Sequence, residues 1–217
     1  MSRRNILLVP SATLVPEEMR LDLGPIPMCM IPLEGKPALD HISERYNDLE
    51  TENYVATMQR REELENYLST SGQHWRETLV DSSSLADTVL QALEEIGDLR
   101  NSYLYINFAD TLVEPLQESE DDILYFDEVE YTSRWTSFTE RDGKINSITE
   151  KFSELSSGPK KVFTGVFGIS DPEKFREKLS EALENDSDLA PFFRALKNYL
   201  NGGGYELVKV ENWTDVG

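Results

Sequence analysis

Residues 103–113, YLYINFADTLV, decide the fold of this 217-residue chain. A mostly apolar run from Tyr103 to Phe108 leads almost directly to one carboxylate, Asp110. Two interpretations are open for this pattern: a buried strand followed by a polar turn, or a strand whose carboxyl end presents an acid to a ligand. Open α/β sheets bind their ligands at that edge, so an α/β pattern elsewhere in the chain favours the second interpretation.

The first half of the chain alternates strand and helix patterns. The apolar run NILLV (5–9) stops at Pro10, as a buried parallel strand does. Residues 82–96 form the clearest helix, with serines as N-caps and Gly97 as the stop. The other predicted strands are 54–58 and 77–80, and the other predicted helices are 37–46 and 60–68. The alternation predicts an α/β fold: a Rossmann-like three-layer domain, with helices on both faces of a mostly parallel central sheet.

The second half of the chain has a different pattern. Short strands are predicted, with Asp142-Gly143 as a hairpin turn, at residues 123–126, 135–139, 144–148 and 162–169. Two helices and a last strand follow at 172–183, 189–200 and 205–210. A smaller β-rich insertion is therefore expected after the Asp110 strand, and one domain is expected over residues 1–217.

Composition excludes several classes of function. The net charge of −20 repels nucleic-acid backbones and anionic membrane surfaces, so neither is an expected partner. A single cysteine rules out an intramolecular disulfide and gives no support to a cysteine-based zinc site. The apolar run near the N-terminus is too short for a signal-peptide core or a membrane span. We expect a cytoplasmic protein.

Six short segments occur in the order of motifs found in the sugar-1-phosphate nucleotidyltransferases, and each resembles one of them. They are PLEGKPALDHISERY (32–46), SSSLADTVLQAL (82–93), INFADTL (106–112), RDGKINSITEK (141–151), FTGVFGISDPEKF (163–175) and ENWTDVG (211–217). The resemblance covers nearly the whole chain. It implies a base- and phosphate-binding half at about 1–112 and a sugar-side half at about 113–217.

The resemblance also implies roles for particular residues. Asp110 and Asp215 would share a Mg²⁺ ion with the nucleotide phosphates, an oxygen-rich environment that suits this cation. Lys151 would hold the sugar phosphate as the third catalytic residue, with Glu150 on sugar hydroxyls and Gly165 in the wall of the sugar pocket. The nucleotide would contact Val9, Pro10, Ser11, Ser84, Leu85 and Ala86. The implied ligands are an NTP with a sugar 1-phosphate, or a nucleotide sugar.

The chain departs from this family in the loop after its first strand. Family members have a Gly-rich loop there, whose N–H groups wrap the triphosphate. The loop at 10–25 has no glycine before Gly24, and it carries the acids Glu17, Glu18 and Asp22. Met28, Ala109 and Ser84 stand where the family has Lys, Gly and Gly. Arg20, Arg3 and Arg4 are candidates to supply the missing cation.

Three functional interpretations remain open from the sequence. In the first interpretation, the chain is an active nucleotidyltransferase with an altered loop. In the second, it is a catalytically silent relative that acts as a regulatory or scaffolding partner. In the third interpretation the apolar segment 26–33 docks another protein, against the alternative that this segment packs in the core. A homo-oligomer or a protein partner is compatible with all three.

Overall fold

The computed structural model of the chain describes residues 3–58, 62–72, 74–151 and 157–216. Its strands, in chain order, are β1 Arg4–Pro10, β2 Pro32–Leu33, β3 Lys36–Pro37, β4 Thr51–Thr57, β5 Trp75–Leu79, β6 Ser102–Asn107, β7 Thr111–Glu114, β8 Asp122–Tyr131, β9 Ser137–Arg141, β10 Lys144–Thr149, β11 Ser157–Ile169, β12 Tyr205–Lys209 and β13 Asn212–Asp215. Its α-helices are α1 Glu17–Leu23, α2 Ala38–Arg45, α3 Glu62–Thr70, α4 Leu85–Ile96, α5 Pro172–Leu183 and α6 Pro191–Asn201.

One large mixed sheet forms the centre of the molecule. Its order is β10-β9-β11-β6-β1-β4-β5, and β8 pairs with both β11 and β12. The strands from the first half of the chain, β6, β1, β4 and β5, are parallel to one another, whereas β11 is antiparallel to β6. Every residue of β6 is buried. The continuous apolar runs in the sequence follow from this burial, because a strand covered on both faces has no polar side.

Helices cover both faces of the sheet. Ile6 and Leu8 of β1 point into a core built with α4, α5 and α6. Leu7 and Val9 point the opposite way, into a core that includes Leu39 of α2 and further residues of α2 and α3. Alternate residues of one strand thus supply two cores, and the predicted α/β fold class with helices on both faces of a central sheet is confirmed.

The β-rich second half matches its prediction in element order and differs at element ends. Residues 142–143 form the predicted turn, with positive φ at both Asp142 and Gly143. Strand β8 runs on to Tyr131, and β9 starts at Ser137 rather than at Trp135. The later start has a local cause, because the backbone N–H of Trp135 donates to the carbonyl of Thr132 at 3.0 Å and closes a turn.

Helix ends follow local chemistry. Helix α4 begins at Leu85, later than residue 82, because the Ser84 side chain caps it by accepting from the N–H of Asp87 at 3.2 Å. Helix α6 begins at Pro191 rather than at residue 189, since proline is well suited to a first helical position. The predicted helix 60–68 starts in residues 59–61, which lie outside the described residues. No helix in the described ranges is long and apolar enough to cross a membrane.

The apolar segment at 26–33 packs in the core. Met28, Cys29 and Ile31 are all buried and belong to the core cluster beneath β1. Of the two interpretations of this segment, docking of another protein is therefore wrong and core packing is correct.

Candidate active site

Asp110 lies in a tight turn just beyond the carboxyl end of β6. Phe108 donates its backbone N–H to the carbonyl of Gly165 at 2.9 Å, and Thr111 donates to Phe108 at 3.1 Å. The chain then enters β7, which pairs antiparallel with β13 so that Thr111 lies opposite Asp215. The Asp110 carbonyl accepts the N–H of Val216 at 2.9 Å. This pairing brings together the two acids that the sequence predicted as metal ligands.

Burial and the mutual repulsion of two carboxylates dominate the electrostatics of the pair. Burial raises the pKa of the Asp110 carboxyl, and the charge of Asp215 raises that pKa further. The Thr111 hydroxyl, 3.3 Å from Asp110 Oδ1, and the positive charge of Lys151 act in the opposite direction. Asp215 Oδ2 accepts a hydrogen bond from Trp135 Nε1 at 2.7 Å. A cation between the carboxylates would relieve their repulsion.

The donor set fits a hard divalent cation. No group of three or more His, Cys, Asp or Glu side chains with metal-site geometry occurs in the part of the chain that the structure describes. Mg²⁺ does not need one, because it is commonly bound by one or two carboxylates, with water and substrate phosphates completing its shell. Asp110 and Asp215 are the residues that would hold it.

Two cavities meet at Asp110. The first, of about 440 Å³, is lined by Pro10, Ala12, Thr13, residues 82–84 and Leu85, and we call it the serine cavity. The second, of about 230 Å³, is lined by Arg134, Trp135, Gly165, Trp213 and Asp215, and we call it the tryptophan cavity. Leu85, Phe108, Asp110 and Lys151 line both. A carboxylate and an ammonium group therefore lie at the junction of the two spaces.

The predicted nucleotide-contacting residues divide into two groups in the structure. Pro10, Ser84 and Leu85 line the serine cavity. Val9 and Ala86 are fully buried, and Ser11 is nearly so. The Ser11 hydroxyl accepts the backbone N–H of Cys29 at 3.0 Å, so it ties the loop to the core. Val9, Ser11 and Ala86 are therefore packed in the interior and are not among the residues that line the serine cavity.

The predicted sugar-side residues also occupy different places in the structure. Lys151 and Gly165 line the tryptophan cavity. The carboxylate of Glu150 accepts the backbone N–H of Ala190 immediately before α6. That contact gives Glu150 a structural role, since it satisfies an N–H group at the start of a helix.

The backbone conformation and the close neighbours at position 165 require a glycine. Its φ is +91°, a conformation that L-residues with a side chain rarely adopt. A Cβ on Gly165 would lie 2.9 Å from Cδ2 of Phe108 and 3.1 Å from Oγ1 of Thr111. The glycine thus allows β11 to approach the turn that carries Asp110.

Comparisons with known proteins identify the fold. No protein-family profile and no curated protein sequence matches the chain. Among solved structures, the CTP:phosphocholine cytidylyltransferase of Streptococcus pneumoniae superposes with a TM-score of 0.73 at 14% identity, over 98% of this chain and 93% of that one. The inositol-1-phosphate CTP transferase of T. maritima gives 0.69 at 15%, over 99% and 89%. A putative glucose-1-phosphate thymidylyltransferase of Bacillus anthracis gives 0.67 at 16%, over 98% and 89%.

The chain has the nucleotidyltransferase fold. The resemblance drawn from six sequence segments is thereby confirmed at the level of the fold. At these identities the similarity shows the architecture alone.

The loop at 10–25 is the main departure from a nucleotide-binding design on this nucleotidyltransferase fold. Its backbone is bound to neighbouring segments: Ser11 donates to Ala56 at 2.8 Å, Val15 donates to Ile26 at 3.0 Å, and Met28 donates to Thr13 at 3.2 Å. Among the described residues, no acceptor is paired with the backbone N–H of Ala12 or Thr13. Both residues line the serine cavity.

The arginines considered as substitutes for the loop cation lie elsewhere. Arg4 forms an ion pair with Glu52 at 2.8 Å, and Arg3 donates to the carbonyl of Ser170. Strand β1 separates Arg4 from Pro10 by about 20 Å at 3.3 Å per residue, so the expectation for Arg3 and Arg4 is wrong. Arg20 donates from Nε to the Val15 carbonyl at 2.8 Å, which ties it to the loop itself.

Among the cavity-lining residues that the sequence did not predict are Arg134, Trp135 and Trp213. Trp135 was predicted as the first residue of a strand, and Trp213 was noted only as part of a motif. The guanidinium of Arg134 lies 5.5 Å from the centroid of the Trp135 ring, and the two indole rings are 5.2 Å apart. The available signal was a tryptophan between polar residues in SRWTS (133–137), which is unusual for a buried strand.

Proposed function

We propose that this protein is a Mg²⁺-dependent nucleotidyltransferase that joins the nucleotidyl group of an NTP to a phosphorylated acceptor. An oxygen of the acceptor phosphate attacks the α-phosphorus of the NTP. The bond from the α-phosphorus to the oxygen that bridges the α- and β-phosphates breaks, and pyrophosphate leaves. The acceptor is a sugar 1-phosphate or a related phosphate monoester, and the product is a nucleotide-activated sugar or its analogue. We assign the activity to the cytoplasm, where NTPs are available.

The observation that carries this proposal is the position of Asp110 and Lys151 at the junction of two cavities. A two-substrate transfer needs its reacting groups in line at one point, with charge compensation there. The serine cavity is the larger space and offers the N–H groups of Ala12 and Thr13 and the start of α4, so we assign the nucleotide to it. The tryptophan cavity then takes the acceptor.

The chain's own groups have distinct tasks in this scheme. Lys151 supplies positive charge beside the acceptor phosphate and the α-phosphate, which lowers the repulsion between two anions. Asp110 and Asp215 hold the Mg²⁺, which supplies charge neutralisation on the nucleotide phosphates when bound. The ring of Trp135 and the backbone at Gly165 enclose the rest of the acceptor.

The fold comparison supports the acceptor class. The similar structures are named as transferases for phosphocholine, inositol 1-phosphate and glucose 1-phosphate, which are all phosphate monoesters. These three compounds are therefore the acceptors to assay first.

A catalytically silent relative is the second candidate, and the loop at 10–25 favours it. Glu17 and Glu18 lie within this loop, in the first turn of α1, and the loop would border the triphosphate. Carboxylates near a triphosphate weaken its binding. Such a protein would bind a nucleotide sugar weakly and act on a partner protein.

Pyrophosphate release separates the two candidates. Each of the four NTPs is combined with each acceptor, with Mg²⁺ and then with excess chelator. Release that needs both substrates and Mg²⁺, and that is lost in Asp110→Ala with the fold intact, supports the transferase. No release from any pair supports the silent relative. Turnover that survives in Asp110→Ala would show that the metal-site assignment is wrong.

A further inference from the structure

Trp135 is held rigidly at the edge of the tryptophan cavity. Its backbone N–H closes a turn on the carbonyl of Thr132 at 3.0 Å. The next residue, Thr136, accepts the N–H of Phe163 from β11 at 3.0 Å. The turn between β8 and β9 is therefore attached to the central sheet on the side where Asp215 lies.

The indole of Trp135 makes a directed contact with Asp215. Its Nε1–H donates to Oδ2 at 2.7 Å, a distance typical of a hydrogen bond to a charged acceptor. The ring angle is restricted by Trp213, whose ring lies 5.2 Å away at 56°, and by the guanidinium of Arg134. An indole N–H can only donate, so Oδ2 of Asp215 is held as its acceptor and the rotamer of Asp215 is fixed.

We propose that Trp135 is a positioning residue for Asp215. By holding Oδ2, the indole would fix the orientation in which the Asp215 carboxylate meets the cation. The inference rests on the metal-binding role that the proposed function gives to Asp215. Residues that orient metal ligands in this way typically contribute about 10- to 100-fold to metal affinity.

The same indole links the two halves of the site. One part of the side chain lines the tryptophan cavity, and its N–H contacts the metal carboxylate. A compound that presses on the ring therefore acts on Asp215 as well. Because coupling between two binding sites is reciprocal, acceptor binding should change the affinity for Mg²⁺ by the same factor by which Mg²⁺ changes the affinity for the acceptor.

The test uses the three tryptophans of the full chain, which give three indole N–H signals in a ¹H–¹⁵N spectrum. Trp135→Phe assigns one signal. Trp75→Phe assigns another and is the matched control, since Trp75 begins β5 at the opposite edge of the sheet and its indole N–H is also buried. Each protein is titrated with Mg²⁺ alone and with Mg²⁺ plus CTP.

In the wild type, Mg²⁺ is expected to move the Trp135 signal and to leave the Trp75 signal in place. Trp135→Phe is expected to bind Mg²⁺ about 10- to 100-fold more weakly, while Trp75→Phe keeps the wild-type affinity. Equal Mg²⁺ affinity in Trp135→Phe and wild type, or a Trp135 signal that does not respond to Mg²⁺, would overturn the inference. A melting curve of each variant identifies any loss of fold.

These readouts do not depend on turnover. A Trp135 signal that responds to Mg²⁺ in a protein that releases no pyrophosphate would support the positioning role and overturn the proposed function. Pyrophosphate release with unchanged metal affinity in Trp135→Phe would do the opposite.

Discussion

Asp215 lies close enough to Asp110 for its charge to raise the pKa of Asp110, although the two residues are almost half the chain apart in sequence. The pairing of β7 with β13 causes this proximity, because it places Thr111 opposite Asp215. Burial at the end of β6 raises the same pKa and is the larger of the two causes. Without a cation, the fold therefore keeps a pair of carboxylates that repel each other.

The first prediction is that Asp110→Asn stabilises the protein at neutral pH when Mg²⁺ is absent. Asn removes the charge that burial and Asp215 disfavour. The folded wild type holds the Asp110 proton to higher pH than the unfolded chain does, so this group lowers stability as pH rises through that window. The advantage of Asn should shrink as pH falls toward the ordinary carboxyl pKa of about 3.9. Thermal unfolding from pH 5 to pH 8 measures it.

The control for this variant is Asp186→Asn, which removes the same charge from an exposed position. It should leave the pH dependence of the melting temperature as in the wild type. In a chain of this size, 1 kcal/mol corresponds to about 2–4 °C. An Asp110→Asn protein that melts below the wild type at every pH would contradict the electrostatic explanation.

The second prediction is that Gly165→Ala strongly destabilises the protein, whereas Gly143→Ala has a smaller effect. Both glycines have positive φ, which costs alanine about 1–2 kcal/mol. Only Gly165 has atoms, from Phe108 and Thr111, in the space of the added methyl group. Overpacking of that kind costs about 1–3 kcal/mol more. Urea unfolding of the two variants gives the difference, and equal losses would show that β11 does not approach the Asp110 turn.

The sequence predicted the parallel core well and the site only in part. Continuous apolar runs such as NILLV predict buried strands, and these strands were found as β1 and β6. Strands β7 and β13 are four residues each, too short to show a periodicity. Their pairing joins distant residues, so the proximity of Asp110 and Asp215 was expected from motif resemblance alone.

Other differences have similar causes. Helix α1, EEMRLDL, was missed because its apolar residues Met19, Leu21 and Leu23 are spaced by two rather than by three or four. The role of Trp135 depends on a turn that places its indole on Asp215, and no local pattern reports such a contact. The motif predicted that Glu150 contacts sugar hydroxyls. In the structure its carboxylate accepts the backbone N–H of Ala190, the residue before α6, a contact that the sequence does not indicate.

The third prediction concerns Lys151, which lines both cavities. Lys151→Met should lower kcat/KM, because the substitution removes a cation that stabilises charge in the transition state. The expected loss is only about 10- to 100-fold, since Lys151 is exposed and solvent screens its charge. Steady-state pyrophosphate release measures the change. Lys144→Met, in the hairpin at the start of β10, is the matched control and should keep the wild-type rate. Equal rates for both variants would remove Lys151 from the reaction.

The fourth prediction concerns Cys29, the only cysteine of the chain. Burial raises the pKa of its thiol to about 12, against a smaller opposing effect of the Ser11 hydroxyl. Since the thiolate is the reactive form, iodoacetamide at pH 8 should leave the folded protein unmodified and should label it rapidly in urea. Mass spectrometry follows the reaction. Rapid labelling of the folded protein would contradict the packing of segment 26–33 against β1.

The most direct test of the central claim is thermal unfolding with each NTP, with and without Mg²⁺. A ligand at about one hundred times its dissociation constant adds roughly 2.7 kcal/mol of stability, which is readily seen as a higher melting temperature. The account predicts a Mg²⁺-dependent increase with at least one NTP in the wild type and no such increase in Asp110→Ala. No increase with any NTP at millimolar concentration, or an increase that does not need Mg²⁺ and Asp110, would contradict it.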